Sequence, residues 1–267
     1  MNWQYIRAIA EKDLSEVAKN RIAVIGAVVL SVVFAIGFPL LITQIAVISS
    51  GDDLSEFDTL SAIIPAEQLA GLSPEQLPIV LILGYLIAPL FLVLPLMLSC
   101  IIAAEAFVGE KERKTLEALL YTPATDAELF IGKALAAFIP GIVYTWANFV
   151  IFAIVTNIAG YPVMGRIWFP TENWLALMII VVPAVALLGV AATVIISTKV
   201  STFMEAYQAS GALVILIVML GVAQSTGLLF LSPFIAVLVG LALFALDACL
   251  IRIGIRLVSR SELISRI

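Results

Sequence analysis

Histidine is absent from the 267 residues. That removes the commonest general base and the commonest metal ligand at one stroke. Cysteine occurs twice, as Cys100 and Cys249. Both fall inside apolar runs, so no disulfide framework is expected, and the redox compartment cannot be read from them. Charge is scarce: 12% of residues are charged, 63% are hydrophobic and mean hydropathy is +1.15. A soluble domain carries roughly 25% charged residues. The apolar excess lies in long runs, which is the pattern of membrane spans.

About 20 apolar residues cross a bilayer as a helix. Six stretches qualify, at 22–48, 79–104, 129–155, 175–198, 203–223 and 234–255. The predicted fold class is therefore all-α: six transmembrane helices behind an N-terminal segment, 1–21, with the transmembrane domain occupying 22–267. The last two spans read as a tight hairpin about Gln224–Pro233, with a re-entrant segment there as the alternative.

Positive charge on one side is almost missing too. Of fourteen Lys and Arg residues, only Arg166 falls on the side reached by the odd-numbered loops after the first span. By the positive-inside rule the other thirteen mark the cytoplasmic face, with both termini on it. The segment 49–78 on the opposite face is acidic, carrying Asp52, Asp53, Glu56, Asp58, Glu67 and Glu75. The first span follows Glu11, Asp13 and Glu16 and is full length, so it is expected to be retained and not cleaved as a signal peptide.

Local signals refine this plan. Trp3, Ile6, Ala10, Leu14 and Val17 recur at helical spacing, describing an amphipathic helix in the inner headgroup region with Trp3 as interfacial anchor. Thr125–Glu128 and Thr202–Glu205 are capping boxes that open the third and fifth spans, and Ser73–Gln76 is a third candidate. Pro65–Gly71 reads as a short outer helix. Prolines interrupt the spans at Pro39, Pro89, Pro95, Pro140 and Pro183. Lys133 is expected to snorkel to the inner surface.

The segment between the second and third spans, 105–128, carries the most information. Glu110–Lys114 and Arg113–Glu117 are i,i+4 pairs of favourable order. Leu116, Leu119 and Leu120 give an apolar edge, and Thr122-Pro123 stops the helix. A short charged helix with one apolar edge suits docking into a groove of a cytoplasmic partner. Gly109 with Lys114-Thr115 echoes a phosphate-binding loop, but the second glycine and the preceding strand are missing. Nucleotide binding is not expected.

The run GEKERKTLEALLYTPATDAELFIGK, 109–133, resembles the permease subunits of type-2 ABC transporters, the ABC-2 membrane family. The opening AIAEKDLSEVAKNR, 8–21, is similar to that family's interfacial connecting helix. The resemblance implies a half-transporter. Two permeases, identical or related, would form the pathway above two cytoplasmic ATP-binding subunits, which would hold the ATP and Mg; no cofactor would be bound by this chain. Glu110, Arg113, Lys114, Thr115, Glu117 and Leu119 would contact the ATPase, and Glu105 would fix the exit of the second span. Exporter function and a plasma-membrane location follow from the same resemblance, with the lipid bilayer as a partner and nucleic acid as none.

Ionisable and polar groups within spans are functional candidates by default. Asp247 leads, either ion-paired toward Arg252 or facing the pathway; Asn148 and Gln44 follow, with interhelical bonding as the alternative for each. An intramembrane enzyme would need a histidine or two facing carboxylates, and the sequence supplies neither. A stand-alone secondary transporter or channel is the competing function, although its customary internal repeat is not apparent.

Overall fold

The computed structural model describes residues 2–48, 64, 71–113, 125–226 and 232–257. Among these residues all regular structure is helical. Seven helices follow one another: α1 (Trp3–Lys19), α2 (21–48), α3 (Leu77–Glu112), α4 (Asp126–Met164), α5 (Glu172–Ser197), α6 (Phe203–Ser225) and α7 (Pro233–Leu257). Six of them, α2 to α7, are long and apolar enough to cross a membrane. The expected spans are all present.

The boundaries differ where polar residues continue a helix. α3 has 36 residues and α4 has 39. At 1.5 Å per residue these are about 54 and 58 Å long, against a hydrocarbon core of about 30 Å. Both helices therefore project well past the apolar layer. Hydropathy marks where lipid ends, whereas backbone hydrogen bonding carries the helix on.

Burial sorts the spans. The most apolar windows of α3 and α5 are 72% and 61% buried, and those of the other four only 17–22%. α3 and α5 form the centre, with α2, α4, α6 and α7 around them and broad aliphatic faces turned outward. Those outward faces suit lipid or a second protein surface. An aromatic cluster ties the centre together. Phe91 (α3), Phe152 (α4) and Trp174 (α5) meet with centroids 5.0–5.5 Å apart, and Phe34, Phe149 and Phe169 close around them.

Helix contacts use small residues. A Cβ on Gly141 of α4 would stand 2.1 Å from the Ser99 Oγ of α3, so any larger residue there must displace that hydroxyl. Three spans loosen into a π-turn just before a proline: 32–37 before Pro39, 82–86 before Pro89 and 177–181 before Pro183. Proline removes an N–H and clashes with the carbonyl four residues back. In each π-turn a preceding N–H instead reaches five residues back, as Phe38 does to Val33, Ile87 to Ile82 and Val182 to Leu177. Freed polar backbone is thus re-satisfied inside the apolar layer.

The capping boxes at Thr125–Glu128 and Thr202–Glu205 are complete. The one at Ser73 is half made: the Ser73 N–H donates to Gln76 Oε1 at 3.1 Å, but residues 74–76 form a turn and the helix starts at Leu77. Proline enters the first turn as Pro78, not Pro74. The expected short helix 65–71 lies outside the described residues apart from Gly71, which has φ +81°.

Candidate functional site

The charged residues that sequence reasoning placed after the second span gather at one end of the bundle, where α3 emerges between α1 and α4. A π-turn at Glu105–Gly109 rotates the end of α3, and both Glu105 and Glu110 are buried. Glu110 is 2% exposed and is held by two lysines: Lys133 of α4, with Nζ 2.7 Å from Oε2, and Lys12 of α1 on Oε1. Lys133 Nζ also donates to the Ala106 carbonyl and lies 5.8 Å above the Phe107 ring. Arg113 bridges two helices, with Nη1 2.6 Å from Glu105 and Nη2 2.9 Å from Glu16 of α1. Asn20 Nδ2 reaches Glu105 at 3.4 Å.

Asp13 completes the cluster. It is 2% exposed, 3.5 Å from Lys12 and 3.8 Å from Lys133, and its oxygens accept no hydrogen bond among the described residues. Burial pushes its carboxyl above the ordinary carboxylate range, outweighing the two lysines. Four carboxylates (Asp13, Glu16, Glu105, Glu110) thus face three cations (Lys12, Arg113, Lys133). Among the described residues, Asp13 is the carboxylate of this cluster whose oxygens accept no hydrogen bond.

The neighbouring helices are fixed to the same place. The Asn2 N–H donates to Glu128, which also closes the Thr125 cap, so the starts of α1 and α4 share one carboxylate. A Cβ on Gly132 would meet Ile9 at 3.0 Å and the Ile6 carbonyl at 3.1 Å; α1 therefore lies directly on the α4 backbone. On the other flank Lys111 donates to the Val200 carbonyl at 2.9 Å, and the Phe203 N–H donates to Glu112 at 2.7 Å. The end of α3 is pinned on both sides.

Several expectations need correction here. Lys133 does not snorkel: it is 5% exposed and fully engaged inside the protein, because Glu110 and Asp13 offer it better partners than the headgroup region. Glu110 turns inward to Lys12 and Lys133, and its expected i,i+4 partner Lys114 lies outside the described residues. On α1, Leu14 is 37% exposed, while Asp13 takes the buried face with Ile6 and Val17. Sequence reading missed Lys12, Asp13, Glu16, Asn20 and Lys133 as members of the site. The available signal was an acid seven residues after Ile6 and four before Val17, on the apolar stripe itself. Lys114, Thr115, Glu117 and Leu119 lie outside the described residues.

The intramembrane candidates are scattered. Asp247 of α7 is fully buried, and among the described residues neither oxygen has a hydrogen-bond partner. It does not pair with Arg252, which is exposed. Asn148 is buried on α4, and its Nδ2 donates to the Tyr144 carbonyl at 2.8 Å, leaving Oδ1 unbonded. Gln44 is exposed on the outside of α2. Tyr144 bonds between helices, donating to the Ala27 carbonyl of α2 at 2.6 Å. Trp3 is 65% exposed. Cys100 and Cys249 are both free thiols.

Six apolar spans around a packed centre, with a pinned and charged helix exit at one end, define a multi-pass membrane protein. The ABC-2 family transporter protein model matches residues 7–240, and the chain belongs to that family. Comparison with curated proteins gives no match. The protein is accordingly a membrane component of an ABC-2 transporter. Such components lack an ATPase domain, and family membership implies ATP-binding partner subunits.

Proposed function

We propose that the chain is the permease of an ATP-driven exporter in the plasma membrane, working as a pair of permeases above two cytoplasmic ATPase subunits that hold the ATP and Mg. The observation that carries this reading is the ion cluster that clamps the exit of α3 between α1 and α4. Segment 105–128 then acts as the coupling element. Lys114, Thr115, Glu117 and Leu119 would meet the ATPase, and Glu105, Glu110 and Arg113 would transmit its movement to α1 and α4. A push on a segment clamped this way moves helices instead of bending a loop.

Thirteen of fourteen cations on one side support a cytoplasmic placement of this end and of both termini. The projecting amphipathic α1, with Trp3 exposed, suits the inner headgroup layer. The poorly buried faces of α2, α4, α6 and α7 leave room for a second permease and for lipid. Within the membrane, Asp247 is the favoured pathway residue, since a buried carboxylate without a hydrogen-bond donor is costly to keep for packing alone. Asn148 and Gln44 are weaker candidates.

Co-expression with the candidate ATPase and mass measurement of the purified complex test the reading. Two permeases with two ATPases are expected. A permease that purifies alone, under conditions where the ATPase is folded and soluble, would contradict it.

A further inference from the structure

At the opposite end of the bundle from the ion cluster, a cavity of about 410 Å³ opens among the start of α3, the turn between α4 and α5, and the start of α7. That volume falls within the range of small-ligand sites, roughly 300–1,000 Å³. Its lining joins three kinds of group. Arg166 and Glu172 carry opposite charges. Tyr85 and Trp168 supply aromatic surface, and Met164 and Val80 supply an apolar floor.

The cavity takes its chemistry from two charged groups. Arg166 and Glu172 share it, yet neither forms an ion pair with any described residue, and both are exposed. The Trp168 indole N–H is buried without an acceptor. It is turned toward Gly160 of α4, where an added Cβ would stand 3.4 Å from it, so the unpaired groups the cavity itself offers are the two charges.

The wall is also preformed. Gly165 takes φ +63° to end α4, and the Asn157 side chain then pins the turn. Asn157 Oδ1 accepts from the Trp168 and Phe169 N–H groups at 3.0 and 3.2 Å, and Nδ2 donates to the Phe169 carbonyl at 2.8 Å. On the facing side, Asn173 and Trp174 both donate to the Gly84 carbonyl, at 3.0 and 2.9 Å. The Trp168 ring packs over Gly84, where an added Cβ would meet it at 3.5 Å. A rigid shell of this kind lowers the ordering cost of binding.

We infer that this cavity binds a zwitterionic phosphoester of the phosphocholine or phosphoethanolamine type, either as a lipid headgroup or as the free molecule. Arg166 pairs with the phosphate, to which a guanidinium offers a fork of N–H donors. Glu172 pairs with the ammonium, with the half-buried Trp168 ring beside it as cation–π surface. The cavity is lined by residues at or near the starts of the candidate spans Leu77–Glu112, Glu172–Ser197 and Pro233–Gly254. The assignment does not depend on which face of the membrane this is, nor on the ATPase partnership.

The test is native mass spectrometry of the full-length protein released from nanodiscs of phosphatidylcholine or phosphatidylglycerol, the latter lacking the amine. Wild type should retain phosphatidylcholine at least tenfold more than phosphatidylglycerol. Glu172→Gln should abolish that preference, and Arg166→Gln should lower retention of both lipids by a similar factor. Both side chains are exposed, so neither change should alter the thermal midpoint, which serves as the folding control. Added phosphocholine that displaces the lipid assigns the free zwitterion as a ligand; failure to displace it assigns the lipid. Equal retention of the two lipids by wild type, or retention by stable variants that matches wild type, would overturn the proposal.

Discussion

Lys133 shows at the scale of one residue how charge is held at the membrane edge. Its ammonium touches Glu110, the Ala106 carbonyl and the field of Asp13 with almost no solvent. Removing one partner of such a buried pair strands the other, at a cost of about 3–5 kcal/mol. Lys133→Met should therefore lower thermal stability in detergent by several kcal/mol. Adding Glu110→Gln should recover part of the loss, a coupling that a double-mutant cycle reads directly. Asp13 gives a pH signature. Its folded pKa is raised above the ordinary 3.8, so the fold favours its protonated form. The resulting penalty sets in as pH rises through the ordinary value and is complete above the raised one. Asp13→Asn should thus gain on wild type in that interval as pH rises, measured as the difference in unfolding midpoints. Asp247 is a third case. Replacing it with Leu removes a buried polar group with no described hydrogen-bond partner, which should raise stability by about 1–3 kcal/mol while reducing transport. Unchanged transport would return Asp247 to a packing role.

At the scale of the element, span number and type were legible because 20-residue apolar runs have few alternatives in a chain so poor in charge. Caps at Thr125 and Thr202 were legible because the hydroxyl and glutamate lie at the spacing the geometry requires. The extra turns of α3 and α4 were not, since hydropathy reports solvent and not hydrogen bonding. The ion cluster was legible only in half. Glu105, Glu110 and Arg113 stood out in one local segment, but Asp13 and Lys133 reach them across 97 and 23 residues of sequence from Glu110, and periodicity carries no such pairing. The α3–α4 contact offers an element-scale prediction. Gly141→Ala should destabilise the protein by about 1–3 kcal/mol through overpacking. The clash is with Ser99 Oγ at 2.1 Å, and the next atoms are at 3.4 Å. Gly141→Ala with Ser99→Ala should therefore regain most of the loss in thermal unfolding.

For the whole molecule, the arrangement divides labour along the bundle. A dense aromatic centre joins α2, α3, α4 and α5 through packed rings. π-turns before Pro39, Pro89 and Pro183 place looser backbone in three of the spans that surround or form that centre. The ion cluster clamps the end of α3 that leads into the proposed coupling segment. The most direct test of this account is recovery of the ATPase with the purified permease, comparing wild type with Glu117→Arg in the coupling segment and Arg166→Gln at the far end. The account predicts a stable complex for wild type and Arg166→Gln, and loss of the ATPase from a folded Glu117→Arg. Equal recovery in all three, or in none, would contradict the assignment of 105–128 as the element that engages the ATPase.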